Sequence, residues 1–163
     1  MTRVFWRLSV ARDVALAFRG TRARGRWNTA VTHPVYAAGS VALAALERLL
    51  YAQFSLGDDA FQPHHLFRIV VPDRLSVEYV SRDQLPEDWH AMAAPPDPLS
   101  PPTPLQRIGD AWFTGRSTVA LIVPSAHAWE ETNVLLNPEH PEFRELEIGY
   151  VRPYRFDRRH YRP

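Results

Sequence analysis

With 163 residues, 45% of them apolar and 12% aromatic, the chain suits a single domain, 1–163, with a properly buried core. Nineteen basic against eighteen acidic side chains leave a formal charge of +1, which gives no electrostatic footprint for nucleic acid, and the lack of cysteine removes disulfides, thiolate catalysis and thiolate zinc sites. Arginines interrupt the N-terminal apolar residues before signal-peptide length, and no stretch approaches a membrane span, so a cytoplasmic protein without membrane contact is expected.

Residues Val4 to Val10 alternate, with Val4, Trp6, Leu8 and Val10 on one face and Arg7 on the other, and read as an opening strand. A short helix over Asp13 to Phe18 ends at Gly20, and the periodicity then disappears as far as His33 while Arg22, Arg24 and Arg26 accumulate. That stretch is expected to be a long, positive loop. Pro34 to Ala38 reads as a short strand. Ser40 to Phe54 has the strongest helical composition in the chain, with Gly57 beyond its end. On its wheel Leu43, Leu46, Leu50 and Phe54 form the apolar stripe, Arg48 faces water, and Glu47 falls at the stripe's margin.

Leu66 to Val71 and Ser76 to Val80 are expected strands separated by a turn at Pro72-Asp73. Six prolines in the ten positions from Pro95 to Pro104 forbid regular structure there and predict an exposed connector rather than a domain boundary. Thr103-Pro104-Leu105-Gln106 joins a capping threonine to a proline at the first helical position and a glutamine at the third, so a helix should run from Pro104 to Phe113. Val119 to Val123 is a buried strand, with final strands over Leu146 to Tyr150 and Tyr154 to Phe156. Short strands with separated helices point to the α+β class.

Arg26 follows a glycine that permits close backbone approach, and its planar guanidinium matches phosphate oxygens; a phosphate clamp and a surface arginine stand level for it, whereas for Arg22 and Arg24 the surface is preferred. Trp27 suits core packing, Asn28 a local cap, and Tyr36 an apolar strand. Glu47 is the sharper signal, because an acid bordering an apolar stripe needs a partner or a cleft, yet edge glutamates are common on amphipathic helices and the two readings stand level. Ser125 follows a strand end without a Gly-x-Ser-x-Gly elbow, so a serine hydrolase is unsupported. Asn133 and Asn137 flank an apolar run and suit turn bonds before Pro138. His64, His65, His127 and His140 lack the His-Glu-x-x-His spacing, and no metal site is expected.

Taken in order, Gly25-Arg26-Trp27-Asn28, Tyr36 ten positions after Arg26, Glu47 eleven after Tyr36, Val123-Pro124-Ser125, Asn133 to Pro141 and Phe156-Asp157-Arg158-Arg159 resemble RES-domain sequences over nearly the whole chain. Trp6-Arg7 and Gly109-Asp110-Ala111-Trp112 resemble the family's pattern as well. The lead from Arg19 to Arg24 is more basic than is usual for it.

The resemblance implies an ADP-ribosyltransferase-like core of two small β-sheets around an NAD cleft with flanking helices. It implies a toxin of a bacterial toxin–antitoxin pair that consumes NAD as substrate by cleaving the nicotinamide–ribose bond, with Glu47, Arg26, Tyr36 and Ser125 as catalytic candidates. Arg7, Asn28 and Asn133 are implied as supporting NAD-binding candidates. Water as acceptor gives an NAD glycohydrolase, inorganic phosphate as co-substrate an NAD phosphorylase, and a protein side chain an ADP-ribosyltransferase; a non-catalytic nucleotide- or partner-binding module of the same fold is the rival. The implied partner is an Xre-like helix-turn-helix antitoxin. Direct nucleic-acid binding by this chain is not expected, and homo-oligomerisation is left open.

Overall fold

The computed structural model describes residues 2–54 and 62–157. Gly57, Arg158 and Arg159 lie outside the described residues, as does the side chain of Phe54. Among the described residues, seven strands and three α-helices follow one another as β1 (Arg3–Ser9), α1 (Val14–Ala17), β2 (Val35–Ala38), α2 (Val41–Phe54), β3 (His64–Val71), β4 (Val77–Tyr79), α3 (Pro104–Gly115), β5 (Ala120–Pro124), β6 (Thr132–Leu136) and β7 (Glu147–Tyr154). The α+β class is as expected.

The strands form one sheet in the order β4-β5-β6-β2-β1-β3-β7, antiparallel except for the β4/β5 pair. Where the resemblance implies two small sheets, the strands join into a single seven-stranded one, because β1 and β2 pair. β1 pairs with β3 from Arg3↔Val71 to Ser9↔His65, and β2 pairs with β6 over its full length, but β1 and β2 meet only through Trp6↔Ala38. Across this thin seam Arg7 Nη1 donates to the Tyr36 carbonyl at 2.5 Å.

Side chains at paired positions share a face of the sheet. Trp6, Ala38, Asn133 and Val123 therefore form one row, with Tyr36, Leu135 and Leu121 beside it. Towards β1 and β3 that face is covered by α2, where Leu43 and Ala44 pack with Leu8, Ala38 and Leu66. Towards β5 it is covered by α3, where Leu105, Trp112 and Phe113 pack with Leu121, Val123, Leu135 and Trp27. The opposite face builds the largest core from Phe5, Phe67, Ile69, Ile122, Val134 and Leu136 under Ala17 and Phe18. Because β5 is covered on both faces, it reads as an unbroken apolar run.

α3 begins as its sequence dictates: the Thr103 side chain accepts from Gln106 N, the Gln106 side chain accepts from Thr103 N, and Pro104 occupies the first turn. α2 departs from its wheel. Leu46 is 38% exposed, while Arg48, expected to face water, is half-buried and donates from Nε to His64 Nε2 at 2.8 Å. Two polar partnerships, Arg48 with His64 and Glu47 with β6, turn this helix away from the orientation that its leucines alone favour.

β4 follows β3 in the chain yet pairs in parallel with β5 at the far edge of the sheet. The two expected C-terminal strands are one, β7, and Pro153 is tolerated because β7 is an edge. β6 was hidden in the sequence by the polar pair Thr132-Asn133 at its start. Among the described residues no helix is long and apolar enough to cross a membrane.

Candidate active site

Between the areas covered by α2 and α3, Tyr36 and Asn133 project from the same sheet face, and Glu47 reaches toward them from α2. Asn133 Nδ2 donates to Glu47 Oε1 at 2.7 Å, and Ser125 Oγ donates to the same oxygen at 3.4 Å. The other carboxylate oxygen, Oε2, lies 3.8 Å from His127 Nε2, beyond hydrogen-bond length. Residues separated by about eighty positions thus fix one oxygen of a carboxylate that is 32% exposed and leave the second without a hydrogen bond among the described residues.

Ser125 is fully buried at the end of β5. Its hydroxyl oxygen accepts from the backbone N–H groups of His127 and Ala128 at 3.2 and 3.1 Å, so its own proton is directed to Glu47. The turn closes with Ser125 N donating to the Glu131 carbonyl at 3.1 Å. Ser125 therefore holds the carboxylate and the turn together.

The loop carrying Arg26 is tied at almost every residue. Gly25 and Asn28 bridge to one another, and a Cβ at Gly25 would lie 2.5 Å from Asn28 Oδ1 and 2.7 Å from Tyr36 Oη, which explains the glycine. Asn28, fully buried, donates to the carbonyls of Ala23, Thr29 and Thr32 and accepts from Tyr36 Oη at 2.7 Å. The Asp110 carboxylate on α3 accepts from Thr29 N, Thr29 Oγ1 and Thr32 Oγ1. Gln106 Nε2 donates to the carbonyls of Gly25 and Asn28. Next to Asp110, a Cβ on Gly109 would meet the Trp27 carbonyl oxygen at 1.8 Å, so helix and loop touch backbone to backbone.

Arg26 donates through Nη1 to the carbonyls of Trp89, His90 and Met92, at 3.4, 3.1 and 2.5 Å, and its Nε and Nη2 make no hydrogen bond among the described residues. Burial holds its pKa below the ordinary arginine value, opposed by the attraction of Glu47 and then of Tyr36. Burial pushes the Tyr36 phenol well above the usual tyrosine range, and the bond from Trp27 N opposes this, so the group is a neutral hydroxyl in function.

Two supporting candidates bond within the protein. Arg7 sits on the sheet face opposite α2, bonding the Ala17 and Tyr36 carbonyls. Burial, and secondarily Arg48, lowers its pKa to about 10. Asn28 is closed off from solvent and bonds the Tyr36 hydroxyl. Arg7 Nε and Nη1 and the Asn28 amide are engaged by the protein itself.

The RES domain family model matches residues 4–158. A Toxin Res from Photorhabdus laumondii is 35% identical, with 86% of this chain and 85% of that protein covered. A Prs ADP-ribosylating toxin from Sphingobium sp. (strain YBL2) is 34% identical over 98% of this chain and 97% of its own length. A Toxin Res from Yersinia enterocolitica is 31% identical, at 94% and 95% coverage. The chain belongs to the RES domain family.

Within this RES domain, Arg24 is the clearest residue that sequence reasoning undervalued. Its guanidinium donates to the carbonyls of Asp97, Pro98, Ser100 and Pro101 and to Gln106 Oε1, so the proline-rich 95–104 segment is strapped onto the loop of the RES motif rather than crossing the surface freely. A proline-rich stretch has few N–H donors to pair its own carbonyls, which here accept from Arg24 instead. His127 was considered only as a metal ligand, and its approach to Glu47 had no signal in the sequence. Among the described residues no group of three or more His, Asp or Glu side chains could hold a metal ion. A concavity of about 600 Å³, walled in part by Tyr79, Gln84, Ile108 and Trp112, shares no residue with the Glu47 cluster.

Proposed function

We propose that this RES-domain chain is an NAD-consuming toxin of a bacterial type II toxin–antitoxin pair that breaks the nicotinamide–ribose bond. The observation that supports this proposal is the partly exposed Glu47 carboxylate, with Oε1 held by Asn133 and Ser125 and Oε2 making no hydrogen bond among the described residues, 3.8 Å from His127 Nε2. As nicotinamide leaves, positive charge develops at the anomeric carbon. A fixed anion there stabilises the transition state more than the uncharged ground-state ribose, and its preorganisation avoids rearrangement at the moment of reaction.

In this proposal Glu47 Oε2 faces the ribose or takes the proton of the attacking oxygen. Arg26 grips the pyrophosphate through Nε and Nη2. Tyr36, its hydroxyl already engaged with Asn28 and Trp27 N, offers its ring to the nicotinamide side. Ser125 and Asn133 orient the carboxylate, and Arg7 and Asn28 hold the strand and loop that carry Tyr36 and Arg26. The acceptor is water or inorganic phosphate. Transfer to a protein is the second reading, favoured by the Sphingobium relative named an ADP-ribosylating toxin. The relatives named Toxin Res support an antitoxin partner, for which an Xre-like helix-turn-helix protein is proposed.

Nicotinamide release from NAD by the purified protein tests the proposal. Glu47→Gln preserves shape and removes the charge, and it is expected to lose roughly a hundredfold or more in rate while melting as wild type does. Full activity in that variant would overturn the site assignment. A rise in melting temperature with NAD but no nicotinamide release would instead identify a binding module.

A further inference from the structure

The turn that follows Ser125 carries His127 to Glu47 and, two positions on, holds Trp129 outward. Trp129 is 52% exposed although it belongs to the residue type with most to gain from burial. The turn presenting it is closed by backbone bonds from Ser125 N to Glu131 O and from Glu131 N to Ala128 O, and by the two N–H groups on Ser125 Oγ. The indole is therefore displayed on a fixed frame.

Its neighbours are specific. The exposed imidazole of His90 lies 5.3 Å from the indole, centroid to centroid, at an interplanar angle of 56°, and the Arg82 guanidinium stands 6.0 Å from the ring centroid. The backbone carbonyl of His90 accepts from Arg26 Nη1 at 3.1 Å. Through His90, whose carbonyl accepts from Arg26 and whose ring meets Trp129, the guanidinium and the indole are held near one another, with Arg82 over the indole, while His127, two positions before Trp129, approaches Glu47. A carboxylate, a guanidinium and an aromatic ring match the ribose, pyrophosphate and base of a dinucleotide.

Resting on the NAD reading above, we propose that Trp129, flanked by His90 and Arg82, is the stacking platform for the purine base at the far end of the dinucleotide. A purine gains dispersion and stacking on an indole face, and the guanidinium adds attraction to the stacked π-systems. The platform makes this site a reader of dinucleotides rather than of nicotinamide ribosides in general.

The test compares nicotinamide release from NAD and from nicotinamide mononucleotide, which lacks the adenosine half. The kcat/KM preference for NAD is expected to fall roughly tenfold or more in Trp129→Ala, mainly through KM, and to be largely retained in Trp129→Phe, which keeps a stacking ring. An unchanged preference in Trp129→Ala would overturn the platform while leaving the NAD reading in place. Quenching of tryptophan fluorescence by adenosine monophosphate needs no turnover. It is expected in wild type and lost in Trp129→Leu. No quenching in wild type would overturn the platform. Quenching without nicotinamide release from either substrate would support the platform and remove the NAD-cleaving activity.

Discussion

Two regions of the candidate site use polar groups in opposite ways. In the loop from Arg24 to Thr32 most polar groups apart from Arg26 Nε and Nη2 are consumed internally: Arg24 by five acceptors, Asn28 by three carbonyls and a phenol, Thr29 and Thr32 by Asp110. At Glu47 only one oxygen is committed, and about a third of the side chain is open to solvent. The densest sequence motif is thus mostly scaffold, with Arg26 Nε and Nη2 as its open donors, and the carboxylate of the site comes from a helix that the motif does not contain. A buried polar network rigidifies because each unmet partner costs more than a made bond gains, whereas a reactive group must keep a vacancy.

The largest effect should come from breaking the scaffold where backbone meets backbone. Gly109→Ala places a methyl where the Trp27 carbonyl oxygen already sits, so α3 and the loop must separate. A loss of about 2–3 kcal/mol in denaturant melts is expected, with activity falling through displacement of Arg26. Wild-type stability in that variant would show that the loop is less tightly seated than its contacts imply.

Asn133→Ala should do the reverse. It removes the 2.7 Å bond that aims Glu47, and a roughly tenfold loss of nicotinamide release is expected, with a melting curve close to wild type. A large loss of stability with little loss of rate would assign Asn133 to the scaffold and remove the distinction between the two regions.

Tyr36→Phe probes the boundary between them. It leaves Asn28 Oδ1 and Trp27 N without the phenol, at a cost of about 1 kcal/mol. The unfolded phenol ionises from pH 10.0 upward, while burial keeps the folded one protonated to higher pH, so the native state binds the extra proton. Stability from Tyr36 is then whole below pH 10.0 and declines above it. Arg7, lowered to about 10, is common to both proteins and cancels. The gap in melting temperature between wild type and Tyr36→Phe should therefore be constant up to about pH 9 and narrow at about pH 11. A gap that stays constant throughout would mean that the phenol is not buried as described.

Much of this protein was legible in its chain because the signals were local. The capping box before α3, the alternation of β1, the apolar run of β5 and the composition of α2 each depend on neighbouring residues, and each element is present within a residue or two of its expected place. The ordered motifs carried the family, and Glu47 stood out from its place on the helical wheel. Tertiary structure alone decided the rest. The rotation of α2 follows from His64 and Asn133, residues on strands beyond the reach of any helical period. The face on which Arg7 lands was implied by alternation, but which helix covers that face depends on strand order, and β4 pairing with β5 instead of β3 shows that order is a long-range outcome. Whether Arg24, Asn28 or Ser125 meets solvent or protein likewise turns on partners up to 82 positions away. Local patterns choose the elements because they are set by short-range sterics and periodicity; burial and hydrogen-bond partners are set by which elements come together, and only the assembled sheet separates scaffold from site.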